Sequence, residues 1–373
     1  MKIAQISPLV ESVPPRLYGG TERVVSYLTE ELVGQGHDVT LFASGDSVTE
    51  ASLVACSSVA LRLDPKAHDP IPHYMMMLDK VMAEADEFDI LHFHIDHLHF
   101  PGVRGFENRR VTTLHGRQDL PDSAPFYAHF RKPPLISISE AQRAPIKGAN
   151  FLGTVLHGLP LDLHHASVET DSGYLAFLGR ISPEKDPVQA IRIALALRKP
   201  LKIAAKVDVV DRPYFDQEVR PLLDLPGIEF IGELGEHQKG EFLRKASTLL
   251  FPIRWPEPFG LVMIEAMACG TPVLAFDHGS VREVIDDGLT GRVVRSFDEA
   301  VAALPEVLAL DRRKVRRRFE QRFSARRMAK DYLRLYEKLL SKSRSERRRG
   351  PVAGDVIRVN GDNLLADAGL HAE

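Results

Sequence analysis

Residues 248–276 read TLLFPIRWPEPFGLVMIEAMACGTPVLAF. The run opens as an apolar strand, TLLFPIR, crosses a proline-flanked loop into a helix, LVMIEAMAC, and returns to a strand, TPVLAF. A helix between two short buried strands predicts a parallel βαβ unit. The helix begins near Phe259, Gly260 and Leu261, and Gly270 ends it. Glu257 lies in the loop, held by Pro256 and Pro258. Glu265 falls about one turn inside a helix that is otherwise apolar almost all round, and a carboxylate in a buried helix needs a partner. A helix N-terminus favours an anion. A carboxylate beside a phosphate is unfavourable unless it accepts hydrogen bonds from neutral donors, and sugar hydroxyls are such donors. The stretch therefore predicts a ligand with both a phosphate and a polyhydroxyl group. Glu265 is the candidate for a ribose diol and Glu257 for a transferred sugar.

The same alternation extends in both directions. Upstream, YLAFLGR, LKIAAKV and IEFIGEL read as strands, with helices DPVQAIRIALALR and EHQKGEFLRKA between them. The N-terminal half repeats the pattern with strands KIAQIS, DVTLFAS, FDILHF, RVTTLH and PLISIS and the amphipathic helix TERVVSYLTEELVGQG. At 373 residues the chain is too long for one ordinary core. The expected division is 1–160, then 173–325, then a closing helix over 326–341 and a basic, mobile tail over 342–373. The polar stretch 158–172 breaks the periodicity and serves as the boundary. The net charge is −3, yet residues 311–349 hold 17 Lys/Arg against 5 Asp/Glu. A basic segment on an acidic body suggests contact with an anionic surface, or simply a solvated helix face. Two cysteines, no long apolar run and no signal-peptide pattern point to a cytoplasmic protein without a disulfide framework.

The first strand is followed by PLVESVPPRLYGG, without the G-x-G-x-x-G of a dinucleotide dehydrogenase. Gly19 and Gly20 instead stand directly before a helix, where backbone N–H groups can approach an anion. In FLGRISPEKDP, Arg180 and Lys185 follow a strand, and two cations at a strand's carboxyl end can neutralise a diphosphate.

These stretches, with YGGTERV, TLHG, SISEAQR, VLHGLPLDL and FIGEL, occur in an order and spacing that resemble the retaining GT-B glycosyltransferases of family 4. The resemblance covers roughly residues 1–340. It implies an α/β fold of two Rossmann-like domains facing a central cleft, with a C-terminal helix crossing back onto the first. By the same resemblance Gly20 presents backbone to the donor diphosphate and Arg180 and Lys185 compensate its charge. Glu265 binds ribose, Glu257 holds the sugar near O3, and Phe259, Gly260 and Leu261 contact sugar and phosphate. His115 of TLHG lies near the anomeric centre and O6. Two positions depart from the family's pattern. Asp186 stands where glycine often follows the lysine, and Ala205-Lys206-Val207 replaces a frequent Gly-x-Gly. The N-terminal loop resembles a subgroup that includes pteridine glucosyltransferases and a transferase of oligosaccharide-antibiotic assembly, which implies a small soluble acceptor.

LHFHIDHLHF, residues 91–100, raises the question of a metal. The family pattern holds the diphosphate with cations and a helix dipole, so no metal and no cofactor are expected. His94 and Asp96 are instead placed at a polar strand end where the acceptor would bind. The expected activity is transfer of a hexosyl group, glucosyl from UDP-glucose first, to a hydroxyl acceptor, with no nucleic-acid partner. The rivals are a GT-B nucleotide-sugar epimerase and a non-catalytic protein that binds an anionic ligand.

Overall fold

The computed structural model describes residues 1–17, 19–106, 108–167 and 173–349, with side chains to 341. Two parallel sheets organise them. The first holds β1 (Lys2–Ile6), β2 (Asp38–Ser44), β3 (Ser52–Ser57), β4 (Ile90–Phe93), β5 (Arg110–Thr113), β6 (Leu135–Ser137) and β7 (Phe151–Thr154), in the order β3-β2-β1-β4-β5-β6-β7. The second holds β8 (Leu175–Arg180), β9 (Leu201–Lys206), β10 (Ile228–Gly232), β11 (Thr248–Phe251), β12 (Val273–Phe276) and β13 (Gly291–Val294), in the order β10-β9-β8-β11-β12-β13. The fold is α/β, with two Rossmann-like units. Central strands such as β4, β5, β11 and β12 are buried along their whole length because helices cover both faces.

Strand order reverses between β1 and β4 and again between β8 and β11. Loops leaving the carboxyl ends of neighbouring strands diverge at such points and open a crevice. The loops after β1, β8 and β11 carry Gly19–Gly20, Arg180–Lys185 and Glu257 respectively, so each sheet's topology brings its own group to its crevice.

The helix Leu261–Ala268 buries every residue from Met263 to Ala268, Glu265 included. It lies between its sheet and the helices Glu236–Lys245 and Arg312–Arg322, which explains its nearly uniform apolarity. The last helix runs Ala325–Arg349. Ser324 pairs with Leu159 at the crossing point, and the helix then packs on the first unit's helix Gly20–Gly34 and on β7. Tyr332 and Tyr336 are buried there. The expected tail is corrected in part: residues 342–349 continue the helix, while 350–373, like 168–172 of the boundary stretch, lie outside the described residues. Among the described residues no helix is long and apolar enough to cross a membrane.

Part of the basic segment serves the interior. The Arg312 guanidinium donates to Ser167 O, Ala246 O, Arg244 O and Thr271 Oγ1 at 3.0, 2.8, 2.9 and 2.7 Å. Arg316 donates to Leu161 O, His164 O and Ala268 O, and Arg318 and Arg322 both engage Asp286. These cations are engaged by backbone carbonyls and by Asp286 within the fold. Arg313, Lys314 and Arg317 remain exposed. Arg312→Ala should lower stability by about 2–3 kcal/mol because buried acceptors lose their donor. Urea unfolding followed by circular dichroism checks this, and an unchanged midpoint would count against it.

Candidate functional site

A cavity of about 450 Å³ lies between the two units. Its wall includes Gly19, Gly20, His115, Arg180, Lys185, Glu257, Phe259, Gly260, Leu261 and Glu265. All the residues expected to meet the donor therefore face one space.

On the first-unit side, Gly19 caps the helix Gly20–Gly34. A Cβ at Gly19 would come within 2.7 Å of Pro15 Cβ, so only glycine lets the proline-rich loop fold tightly against this helix start. Across the cavity, a Cβ on Gly20 would touch Leu261 Cδ1 at 3.6 Å; the two helix N-termini thus approach each other. Gly260 has φ 76° and ψ 69° and leads directly into the helix at Leu261. This left-handed turn, easiest for glycine, aims the helix start at the cavity.

The charged groups of the cavity are paired with one another. Lys185 Nζ contacts Glu257 Oε2, which also accepts from Trp255 Nε1 at 3.0 Å. Arg180 Nη2 donates to Glu184 Oε1 at 2.6 Å, and its Nε lies 3.3 Å from Asp211. Glu265 Oε1 accepts from Lys239 Nζ at 3.2 Å. Burial alone would raise the Glu265 carboxyl, but Lys239, His164 and Arg23 outweigh it and hold it below the ordinary value. Glu265 is therefore an anion with its acceptor oxygens ready for hydroxyl donors.

The departures from the family's pattern acquire physical reasons. Asp186 has φ 48° and ψ 60°, the left-handed conformation that glycine adopts most easily. Aspartate tolerates it here because its carboxylate caps the next helix, accepting from Gln189 N at 3.0 Å. At the other position, Lys206 lines the cavity and its Nζ sits 2.8 Å from Asp208.

His115 lines the cavity, but His94 and Asp96 do not. His94 is 2% exposed, and its Nδ1 lies 2.9 Å from His115 Nε2. The acceptor role expected for His94 is thus corrected: it backs His115 rather than meeting a ligand. The Asp96 carboxylate faces the backbone of His115 and Gly116, and burial raises its pKa despite those hydrogen bonds and His97. The other histidines of the stretch are committed too. His92 pairs with Thr113 Oγ1 and Tyr336, and His99 pairs with Thr112 Oγ1 and stacks on Phe93. Among the described residues, the group whose spacing would suit a metal is His164, Glu236 and Glu265. Lys239 and Arg23 already neutralise its two carboxylates, which makes it a poor host for a dication.

Several contributors carry no sign in the sequence beyond their motif. Gln142 donates to both Leu114 O and Gly116 O at 2.8 Å, pinning the loop that bears His115. His157 stacks on His115 with ring centroids 5.4 Å apart and meets Phe259 edge-on. Ser139 Oγ donates to Pro258 O at 2.6 Å, and Glu283 accepts from Glu140 N and Ala141 N. These contacts, with Arg23–Glu236, join the two units around the cavity. SISEAQR and VLHGLPLDL were legible as motifs, but several of their partners, Pro258, Phe259 and Glu283, lie more than a hundred residues away.

Comparison with known proteins agrees with this geometry. Residues 164–326 match the family described as "Glycosyl transferases group 1", and residues 18–146 match "Glycosyltransferase Family 4". A phosphatidyl-myo-inositol mannosyltransferase of Mycolicibacterium smegmatis is 27% identical over 345 residues, 84% of this chain and 86% of that protein. A D-inositol 3-phosphate glycosyltransferase of Nocardia farcinica is 38% identical over 157 residues, covering 38% of this chain but only 34% of the relative. The solved structure of a glycosyltransferase involved in avilamycin A biosynthesis superposes with a TM-score of 0.70 at 23% identity, over 91% of this chain and 98% of that one. Anabaena HepE in complex with UDP and glucose gives 0.67 at 16%, over 92% and 100%. At such identities these structures speak for the fold alone. Two matched halves, two Rossmann-like units and a helix that crosses between them agree, and the chain belongs to the family 4 glycosyltransferases of GT-B fold.

Proposed function

We propose that this enzyme transfers a hexosyl group from a nucleoside-diphosphate sugar to a hydroxyl of a small-molecule or saccharide acceptor, with retention at the anomeric carbon and without a metal. UDP-glucose is the first donor to test. The supporting observation is the pairing in one cavity of two cations at strand ends, Arg180 and Lys185, with two carboxylates, Glu257 and Glu265, beside the helix start at Leu261.

In this reading the bond between the anomeric carbon and the diphosphate oxygen breaks as positive charge develops on the sugar. Arg180, Lys185 and the N–H groups at Leu261 stabilise the departing diphosphate, the kind of electrostatic term that often dominates catalysis. The acceptor hydroxyl attacks from the same face, and its proton passes to the leaving phosphate oxygen. Glu257 exchanges its Lys185 contact for sugar hydroxyls, and Glu265 exchanges Lys239 for the ribose diol. The mannosyltransferase relative makes a mannosyl donor the competitor.

Thermal stabilisation by UDP-glucose and GDP-mannose, each with and without EDTA, followed by product analysis, tests the proposal. Stabilisation that survives EDTA supports it. Donor isomerised without acceptor would favour an epimerase, and no response to any nucleotide sugar would overturn the donor site. Glu265→Ala should raise the donor KM about tenfold or more, the worth of a charge-assisted hydrogen bond, with a smaller change in kcat. An unchanged KM would remove Glu265 from the ribose site.

A further inference from the structure

Behind the cavity wall a polar chain links the crossing helix to His115. Tyr336 Oη lies 2.6 Å from His92 Nδ1 and 3.5 Å from Gln5 Nε2. Gln5 Oε1 lies 2.8 Å from His94 Nε2, and His94 Nδ1 lies 2.9 Å from His115 Nε2. Gln5, His92, His94 and Tyr336 are all essentially inaccessible to solvent. Gln5 and His92 sit on the adjacent strands β1 and β4, His94 follows β4 directly, and Tyr336 belongs to the last helix.

With the Gln5 amide oxygen toward His94 and its nitrogen toward Tyr336, the donors and acceptors along this chain follow in order. An amide oxygen only accepts, so His94 Nε2 carries a proton and donates to Gln5. A neutral imidazole has one N–H, so His94 Nδ1 is an acceptor and His115 Nε2 must donate to it. The proton on Nε2 leaves His115 Nδ1 as a lone-pair nitrogen. At the far end Tyr336 Oη accepts from Gln5 Nε2 and donates to His92 Nδ1. His92 Nε2 then donates to Thr113 Oγ1, whose hydroxyl donates to Tyr332 Oη at 3.2 Å. Burial pushes His92 and His94 well below the ordinary histidine value and His115 down to about 3, so all three rings stay neutral at pH 7.

We propose that Gln5, His94 and Tyr336 are positioning residues that lock His115 in its Nε2-protonated tautomer and so present an acceptor nitrogen to a sugar or acceptor hydroxyl. The inference rests on reading the cavity as the transfer site. It has a consequence for selectivity: a lone-pair nitrogen receives a hydroxyl proton but repels a phosphate oxygen. His115 therefore favours the sugar end of the donor, and the diphosphate is left to Arg180 and Lys185.

Histidine-selective ¹⁵N NMR of the full chain reads the tautomer, with the His115 signals identified by their loss in His115→Gln. The expected pattern is a protonated Nε2 and a bare Nδ1; the reverse tautomer or an imidazolium overturns the proposal. Gln5→Met removes the acceptor while keeping the volume. It should give a mixed His115 tautomer and lower kcat about tenfold, with the donor KM changed less than about twofold. In the His115→Gln background the same substitution should cost less than about twofold, because its effect passes through His115. Equal losses in both backgrounds would make Gln5 merely structural. If His115→Gln alone keeps wild-type kcat, the placing of His115 in the transfer site fails, while the NMR pattern still decides the tautomer lock.

Discussion

Lys185→Ala should lower kcat by about 10²–10³-fold, as expected when one preorganised charge is removed from a developing anion. The loop that carries Lys185 does not depend on the side chain for its shape. Ile181 N donates to Lys206 O, and both Lys185 N and Asp186 N donate to Ser182 O. The ammonium itself is held between Glu257 and the Trp255 and Phe251 rings, 5.3 and 5.7 Å from their centroids. A cation over aromatic faces in a half-enclosed space is weakly screened, so its attraction for a leaving diphosphate exceeds that of a surface lysine. Loss of Lys185 also leaves the Glu257 carboxylate without its neighbouring cation, and its charge then opposes the diphosphate. Arg180 remains, which is why some activity should persist. Single-turnover kinetics separates the chemical step from donor affinity, which should fall far less than kcat. A kcat within about threefold of wild type would remove Lys185 from the leaving-group site.

What the sequence made legible follows a physical division. Buried central strands announce themselves as apolar runs, and each was readable. The strands that escaped reading are β3, β7 and β13, all at sheet edges. There SLVACS, FLGT and GRVV are short, polar on one face or interrupted by glycine, as edge strands commonly are. The donor-facing residues were legible because loops at strand ends bring charge and glycine to fixed motif positions. His94 was misplaced for a different reason. Alternation along β4 tells which face a side chain takes but not what covers that face. Here Tyr332 and Tyr336 return from more than two hundred residues away onto Thr113 and His92, and Gln5 and His115 close on His94, which turns an apparent polar rim into a buried layer. The basic segment deceived in the same way, since Arg312 and Arg316 find their carbonyl partners only in the folded chain.

That buried layer makes acid the condition to which the fold is most sensitive. Burial lowers His92, His94, His99 and His157 well below the ordinary 6.5, and His115 to about 3. Above pH 7.5 neither folded nor unfolded chain binds protons at these rings, and the full stability is present. As pH falls through 6.5 the unfolded chain takes up protons that the native chain refuses, so stability drops with pH. Each ring contributes a slope of about 1.4 kcal/mol per pH unit once the unfolded state is protonated, and five together approach about 7. The carboxyls of Glu11, Glu22, Asp96, Asp186 and Asp211, raised by burial, act with the opposite sign at lower pH, while His37 and His164, also lowered by burial, add to the uptake. Against a total of about 5–15 kcal/mol for a folded protein, such a slope is large, and stability should fall steeply as pH drops below 6.5. Denaturant midpoints measured from pH 8 to 5 give the proton uptake directly, and a flat profile would mean that these rings are charged in the native state. His99 offers the sharpest check. It stacks on Phe93 at 3.9 Å, bonds Thr112 Oγ1 at 2.8 Å and does not line the cavity. Replacing it with methionine should leave donor affinity intact while flattening the acid limb by one ring's share, about 1.4 kcal/mol per pH unit.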